Sequence, residues 1–260
     1  GYVLFDTHVH TNFSTDSDMK IEEAIKSAKE KGISFITTEH MDINFPKEGL
    51  FHFDVDEYLN KYLKYRNDNL LLGIELGMKE DCLEQSRKLI KDNSFDYVIG
   101  SIHLVENLDL YYSDYYEGKS KKEAYFKYLE DMLENLKQFE FIDSLGHIDY
   151  IARYAKFEDK ELYYSDFPDI IDEIFKAVID KEKCLELNTR RLKNENSIKN
   201  MLEIYKRFNE LGGKYITVGS DAHNLESMGS NFREAVEIAR RCNLKIVYFK
   251  NRKKEYDKEV

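Results

Sequence analysis

Tryptophan is absent from this chain of 260 residues, and proline occurs only twice, at Pro46 and Pro168. With so little proline and no Gly/Ser-rich stretch, nothing marks a linker, and a single domain over 1–260 is expected. Cysteine is scarce too. Cys82, Cys184 and Cys242 are far apart and odd in number, which excludes a disulfide framework or a CxxC metal pair and fits a reducing cytoplasm. No apolar run approaches the roughly 18 residues of a membrane span, and no basic segment leads into an apolar one. A soluble cytoplasmic protein without a membrane partner is the expectation. Positive charge is also short: 39 Lys and Arg stand against 50 Asp and Glu, a formal charge of −11. So acidic a body repels polyanions and argues against nucleic acid as a partner. The sequence carries no signal for a particular oligomeric state.

What is present is enough for a packed core. Apolar residues make up 42%, and 19 Tyr with 16 Phe replace the missing tryptophan. Short β-rich runs recur over residues 2–5, 33–37, 70–74, 97–99, 141–145, 184–187, 215–218 and 244–249. They are apolar throughout rather than alternating, as in parallel strands buried on both faces. Helical stripes lie between several of them. Ile21, Ala24, Ile25 and Ala28 share a face ahead of Gly32, and Ser120 with Glu123 form a capping box. Pro168 suits the first turn of a helix carrying Ile170, Ile171, Ile174, Phe175 and Val178. Alternation of this kind predicts an α/β fold with right-handed crossovers, and seven or eight units without a linker point to a closed barrel. An open doubly wound sheet is the alternative, but no GxGxxG follows the first run.

Six of the seven histidines fall at predicted strand ends: His8, His10, His40, His103, His147 and His223. In a barrel, those ends open onto one face. Glu75 and Asp221 join the same rim. Residues i and i+2 of an extended segment point the same way, so His8 with His10, and Asp221 with His223, form pairs able to grip ions. Mixed imidazole and carboxylate donors suit Zn, Mn or Fe rather than Mg or Ca.

In order, the runs DTHVHTNFSTDS, TTEH, GIELG, GSIH, GHID and GSDAH resemble the motifs of the polymerase and histidinol phosphatase (PHP) family. The resemblance runs from Asp6 to His223. It implies a distorted (β/α)7 barrel with two or three divalent metal ions at the carboxyl end of the strands. One ion would be held by His8, His10, Glu75 and Asp221. A second would be bridged by Glu75 and completed by His103 and His147, and a third would take Asp16, His40 and His223. Asp16 stands where many members have histidine, and Asp18 is close by, so the choice between these two stays open.

GHIDYIARY and the Tyr-rich stretch from Glu106 resemble the histidinol-phosphate phosphatase branch. This implies a phosphoric monoester hydrolase of histidine biosynthesis, in which a hydroxide bridging the metals attacks phosphorus. Arg153, Arg190 and Arg191 follow predicted strands, and an arginine fork matches phosphate oxygens. The resemblance gives phosphate to Arg153 and one of Arg190/Arg191, assisted by Tyr115 or Tyr116 from a loop read as a lid. Asp42 and Glu106 are candidates for the substrate's cationic groups. Asp221 is expected to pass a proton to the leaving alkoxide, with His40 as the competing catalytic residue. The alternative within the same barrel is a phosphoesterase of nucleotides or nucleic acid. An inactive binding module and a metal-dependent amidohydrolase are rivals from other classes. Every motif keeps an ionisable residue, which counts against the first. The second lacks its usual carboxylated lysine, since Glu75 occupies that place.

Overall fold

The computed structural model describes residues 4–256. The apolar runs form strands β1 (Phe5–Val9), β2 (Ser34–Met41), β3 (Leu70–Gly77), β4 (Tyr97–Ser101), β5 (Leu104–Val105), β6 (Leu108–Asp109), β7 (Ser144–Leu145), β8 (Cys184–Asn188), β9 (Tyr215–Gly219), β10 (Lys245–Lys250) and β11 (Lys253–Tyr256). Helices α1 (Ile21–Lys31), α2 (Val55–Tyr62), α3 (Leu83–Lys91), α4 (Lys121–Gln138), α5 (Ile151–Tyr154), α6 (Pro168–Asp180), α7 (Glu195–Glu210) and α8 (Phe232–Arg241) lie between them. Tyr2 and Val3, expected in the first strand, lie outside the described residues. Among those described, no helix is long and apolar enough to cross a membrane.

Seven strands are parallel neighbours in the order β1-β2-β3-β4-β7-β8-β9. They are buried almost throughout, which is why their sequences are apolar rather than alternating. At the carboxyl end the ring joins. His10 N–H donates to Ala222 O (2.9 Å) and Ala222 N–H to His8 O (3.3 Å), with Val9 and Ala222 bridged in the parallel sense. At the amino end β10 takes the edge of β9, Lys245 opposite Tyr215, and turns back as antiparallel β11. Val247 and Phe249 then pack with Phe5, Ile36, Leu71 and Tyr97 across that end. The last predicted strand is therefore no further stave. It departs from the ring and distorts it.

Local signals set the helices. Ser120 accepts from the Glu123 N–H and Glu123 reaches back, which starts α4, and Pro168 opens α6. Gly32, at φ +68°, takes the left-handed turn that ends α1. The helices in turn hold the upper loops. Tyr128 of α4 donates to Ile148 O at 2.8 Å, just past His147, and Tyr205 of α7 donates to Glu186 O in β8.

Candidate functional site

The carboxyl end of the ring brings the expected donors together around Glu75, which projects from β3 and is wholly buried. Its Oε1 lies 3.2 Å from His8 Nε2, 3.4 Å from His10 Nε2 and 3.2 Å from His40 Nδ1. Its Oε2 lies 3.3 Å from His103 Nε2 and 3.1 Å from His147 Nε2. Asp221 Oδ1 is 3.3 Å from His8 Nε2 and 3.0 Å from His10 Nε2. On the outer side, Asp16 Oδ2 is 3.2 Å from His223 Nε2 and 3.5 Å from His40 Nε2, and those two nitrogens are 3.4 Å apart. Asp16, rather than Asp18, makes these contacts.

These spacings fit metal coordination. Bonds of about 2.0–2.2 Å to N and O place adjacent ligands about 3.0–3.4 Å apart. The hydrogen-bond accounting points the same way. Buried and without hydrogen-bond partners are His8 Nε2, His10 Nε2, His40 Nδ1, Glu75 Oε1 and Asp221 Oδ1. Each such atom costs about 1–3 kcal/mol if left unsatisfied, so a set aimed at one point calls for a shared cation. The groupings overlap: His8, His10, Glu75 and Asp221; Glu75, His103 and His147; His10, His40 and His223. Such a rim has room for two or three ions, and its donors suit Zn, Mn or Fe.

Local backbone explains the convergence. β1 carries one extra residue between Asp6 and Val9 relative to β2, a bulge that re-aims the side chains around His8. A Cβ on Gly219 would stand 2.4 Å from His8 Cβ, so β9 closes on β1 only because that residue is glycine. Asp221 adopts a left-handed backbone (φ 59°) that turns its carboxylate into the ring.

A further layer fixes the imidazoles. His8 Nδ1 lies 2.5 Å from Glu186 Oε2, His103 Nδ1 3.0 Å from Asp42 Oδ1, and His223 Nδ1 2.8 Å from Asp221 O. His10 Nδ1 meets Ser14 Oγ at 3.0 Å, and that hydroxyl donates to buried Glu39 at 2.8 Å. Only one nitrogen of each of these rings is left for the centre. Burial alone would raise Glu75 and Asp221. The facing imidazoles, and Arg153 at Asp221, instead hold both well below the usual carboxylate range. Burial likewise opposes charge on His8, yet Asp221, Glu186 and Glu75 raise it well above its ordinary value. Without metal this pocket draws in protons, and the same field favours a cation.

Beyond the donors, Arg153 Nη2 is 2.8 Å from Asp221 Oδ2 and 3.1 Å from Asn188 Oδ1. Arg190 Nη1 lies 4.0 Å from the same carboxylate. With Tyr150 and Tyr154 these arginines line a cavity of 160 Å³ over the rim. Asp16, Tyr150 and Tyr154 also border a second cavity of 510 Å³, walled by Phe45, Phe51, Tyr111 and Tyr112.

Some expected residues lie elsewhere. Arg191 turns away to Asp149 (2.9 Å) and Glu161, so the structure separates it from Arg190. Tyr115 and Tyr116 are buried, and their hydroxyls donate to Ala124 O and Leu110 O, both at 2.7 Å. Neither faces the cavity, because the loop folds them under the β5–β6 hairpin and leaves Tyr111 and Tyr112 outside. Asp42 is engaged by His103, and Glu106 pairs with Lys119 at 3.4 Å. Sequence reasoning missed Glu186, Asn188, Glu39, Tyr150 and Tyr154. Glu186 and Asn188 repeat the i, i+2 pattern at a strand end, a signal of the kind used for Asp221 and His223.

Known proteins resemble this chain closely. A probable histidinol-phosphatase of Clostridium acetobutylicum is 48% identical over 254 residues, 98% of this chain and 100% of that one. A histidinol-phosphatase of Lactococcus lactis is 32% identical over 225 residues, 84% of this chain and 83% of its own. The crystal structure of histidinol phosphate phosphatase from Lactococcus lactis, complexed with zinc, L-histidinol and phosphate, superposes with a TM-score of 0.90 at 29% identity, over 97% of this chain and 98% of that one. A profile of the PHP domain matches residues 6–190, more than half of the sequence, and this chain belongs to the PHP domain family.

Proposed function

We propose that this chain is a metal-dependent phosphatase that hydrolyses L-histidinol phosphate to L-histidinol and phosphate, a step of histidine biosynthesis. The observation that carries this reading is the set of partnerless buried atoms on His8, His10, His40, Glu75 and Asp221, with Arg153 and Arg190 beside them in the lining of the cavity over the rim. The chemistry of its relatives supplies the substrate.

Divalent ions, when bound, polarise a phosphate ester and bring a water near neutral pKa. His8, His10, Glu75 and Asp221 would hold one, Glu75, His103 and His147 another, and Asp16, His40 and His223 a third. Arg153 and Arg190 neutralise the phosphate oxygens on the side away from the donors. For the proton that the leaving alkoxide needs, Asp221 is the better-placed relay: ionised at rest, it takes up the proton released by the attacking water and hands it on. Both ring nitrogens of His40 point into the cluster, one at Glu75 and one at Asp16 and His223. Asp221 keeps Oδ2 on the cavity side beside Arg153. The aromatic cavity takes the imidazole-bearing end of the substrate, and Asp109 and Asp114 at its border offer negative charge to the ammonium. The same acidic border disfavours a nucleic-acid strand. We assign the whole chain to this one phosphoesterase unit. Its three free, buried cysteines fit a cytoplasmic site of action.

Phosphate release from L-histidinol phosphate tests the reading, beside p-nitrophenyl phosphate, a 3′,5′-bisphosphonucleotide and a short DNA, on Mn- and Zn-loaded enzyme. A kcat/KM of roughly 10⁴ M⁻¹s⁻¹ or more for histidinol phosphate alone is expected. Comparable weak rates on all four would sink the substrate assignment and leave the metal rim standing.

A further inference from the structure

At the amino end of the ring, away from the donor rim, the segments leading into β7, β8 and β9 and the β10–β11 hairpin border an open cleft of 660 Å³. Five cations line it: Lys181, Lys183, Lys214, Arg252 and Lys254. Two acids do, Asp143 and Glu182, so the lining carries +5 against −2, a net +3. The chain as a whole carries −11. Cations are therefore concentrated where the fold has no catalytic use for them.

The charges are not settled internally. Asp143 is occupied by Arg252 at 2.7 and 3.1 Å and by the Val98 N–H at 2.8 Å. Among the described residues, no carboxylate lies within 4.0 Å of the ammonium groups of Lys181, Lys183, Lys214 or Lys254. Three of these four, Lys181, Lys183 and Lys254, are partly buried, with their stems packed along the cleft. Burial lowers the Lys183 ammonium, and the neighbouring Arg252 and Lys181 add to the effect although Asp143 opposes it. Lys254 is held with its ammonium 3.8 Å from the centre of the Tyr215 ring.

Ammonium groups on flexible stems act as point charges toward phosphate oxygens. Four lysines bordering one cleft with a single unengaged acid, Glu182, leave a positive field there that favours a polyanion. The cleft offers 660 Å³ against 160 Å³ for the small cavity over the rim, so it has room for more than one phosphate. We propose that this amino-end cleft binds a chain of linked phosphates, either free or carried on a nucleoside triphosphate, independently of the catalytic rim.

The experiment uses the metal-loaded full chain with inorganic phosphate present to saturate the catalytic end. Tripolyphosphate and ATP are titrated calorimetrically at low salt into wild type and into a Lys183→Ala/Lys254→Ala variant. One-to-one binding to wild type is expected, weakened at least tenfold in the variant and falling steeply with added salt, while kcat for histidinol phosphate stays within twofold. A thermal midpoint raised by about 5–10 °C at a hundredfold excess over Kd accompanies it. Equal binding of both probes assigns the site to the chain on any carrier. Binding of one alone assigns that source, and either result supports the proposal. No binding by either probe overturns it, as does equal affinity in wild type and variant. Should the double variant fail to fold, Lys214→Glu, an exposed position, must weaken binding about threefold or more.

Discussion

Replacing Glu186 by Gln tests whether the layer behind the rim sets its metal affinity. The carboxylate of Glu186 receives donors on both oxygens. Oε2 faces His8 Nδ1 at 2.5 Å, and Oε1 accepts from the His147 N–H at 2.8 Å and from Asn188 Nδ2 at 3.1 Å. A glutamine has one acceptor end and one donor end, so it must fail one of these partners. With its NH2 toward His8, the imidazole moves its proton to Nε2, the atom facing Glu75 and Asp221. With its NH2 toward His147, two N–H groups oppose each other in a fully buried place. Either outcome costs about 1–3 kcal/mol, and loss of an outer partner of a ligating histidine typically weakens metal binding about 10–100-fold. The two magnitudes agree. Chelator competition with Mn or Zn on metal-stripped protein should therefore show affinity down by one to two orders of magnitude. Full stoichiometry and most of kcat should return at saturating metal. Ser14→Ala takes a neutral partner from His10 and also strips a donor from Glu39 and an acceptor from the His40 N–H, so it too should weaken metal binding. Affinity of Glu186→Gln within twofold of wild type would refute the argument that this contact fixes the His8 tautomer.

Two other substitutions separate roles that proximity in sequence confounds. Arg153→Met should lower kcat/KM by about 10²–10³, the scale for removing one preorganised charge donor, with little change in the inhibition constant of a phosphate-free competitor such as histidinol. Arg191→Met should instead act on stability, since it strands Asp149 and Glu161. Breaking such a pair from one side costs about 3–5 kcal/mol when buried. A variant of Arg191 that keeps its thermal midpoint yet loses activity like Arg153→Met would contradict the assignment. Asp131, in α4, gives a pH test. Burial first, with Glu134 adding, pushes its carboxyl up to about 6. A raised folded value means that the protonated form stabilises the fold below the ordinary carboxylate range, and that this contribution is lost as pH rises through about 6. Asp131→Asn should thus gain roughly 1 kcal/mol at pH 8, after discounting for its partial exposure, or about 2–4 °C in thermal midpoint. The gain should vanish near pH 4, and an equal difference at both pH values would count against it.

How much of the rim was legible from sequence follows from where strand periodicity applies. His8 and His10 were legible by position after the first strand, although a bulge re-aims the side chains around His8. His40 and Glu75 lie in strands whose alternation is regular enough that side-chain direction follows from register. The α/β ring itself is legible for the same reason, since its apolar runs need burial on both faces. Alternation fails where the chain leaves the sheet. β8 ends at Asn188, whose side-chain oxygen accepts from the Arg190 N–H at 3.1 Å. That local turn, not the pleat, sends Arg190 toward the cavity and Arg191 toward Asp149. The Tyr-rich loop is a stronger case. A two-residue turn at Glu106 and Asn107, both at positive φ, reverses β5 into β6. The chain then packs Tyr115 and Tyr116 inward, and composition cannot rank four neighbouring tyrosines by burial.

The motif glycines show the remaining gap from the other direction. GIELG and GSDAH read as signatures because of Glu75, Asp221 and His223, and their glycines look like passengers. In the fold they are steric conditions for the rim. A Cβ at Gly77 would fall 1.7 Å from Asp42 Oδ1, which orients His103, and one at Gly219 would press on His8 while standing 3.1 Å from Glu186 Oε2. Both contacts join residues far apart in sequence, so no local pattern announces them. The donors can be found one by one from strand ends. The closeness that puts two oxygens of one glutamate within reach of five imidazoles depends on backbone approaches that only the folded ring reveals.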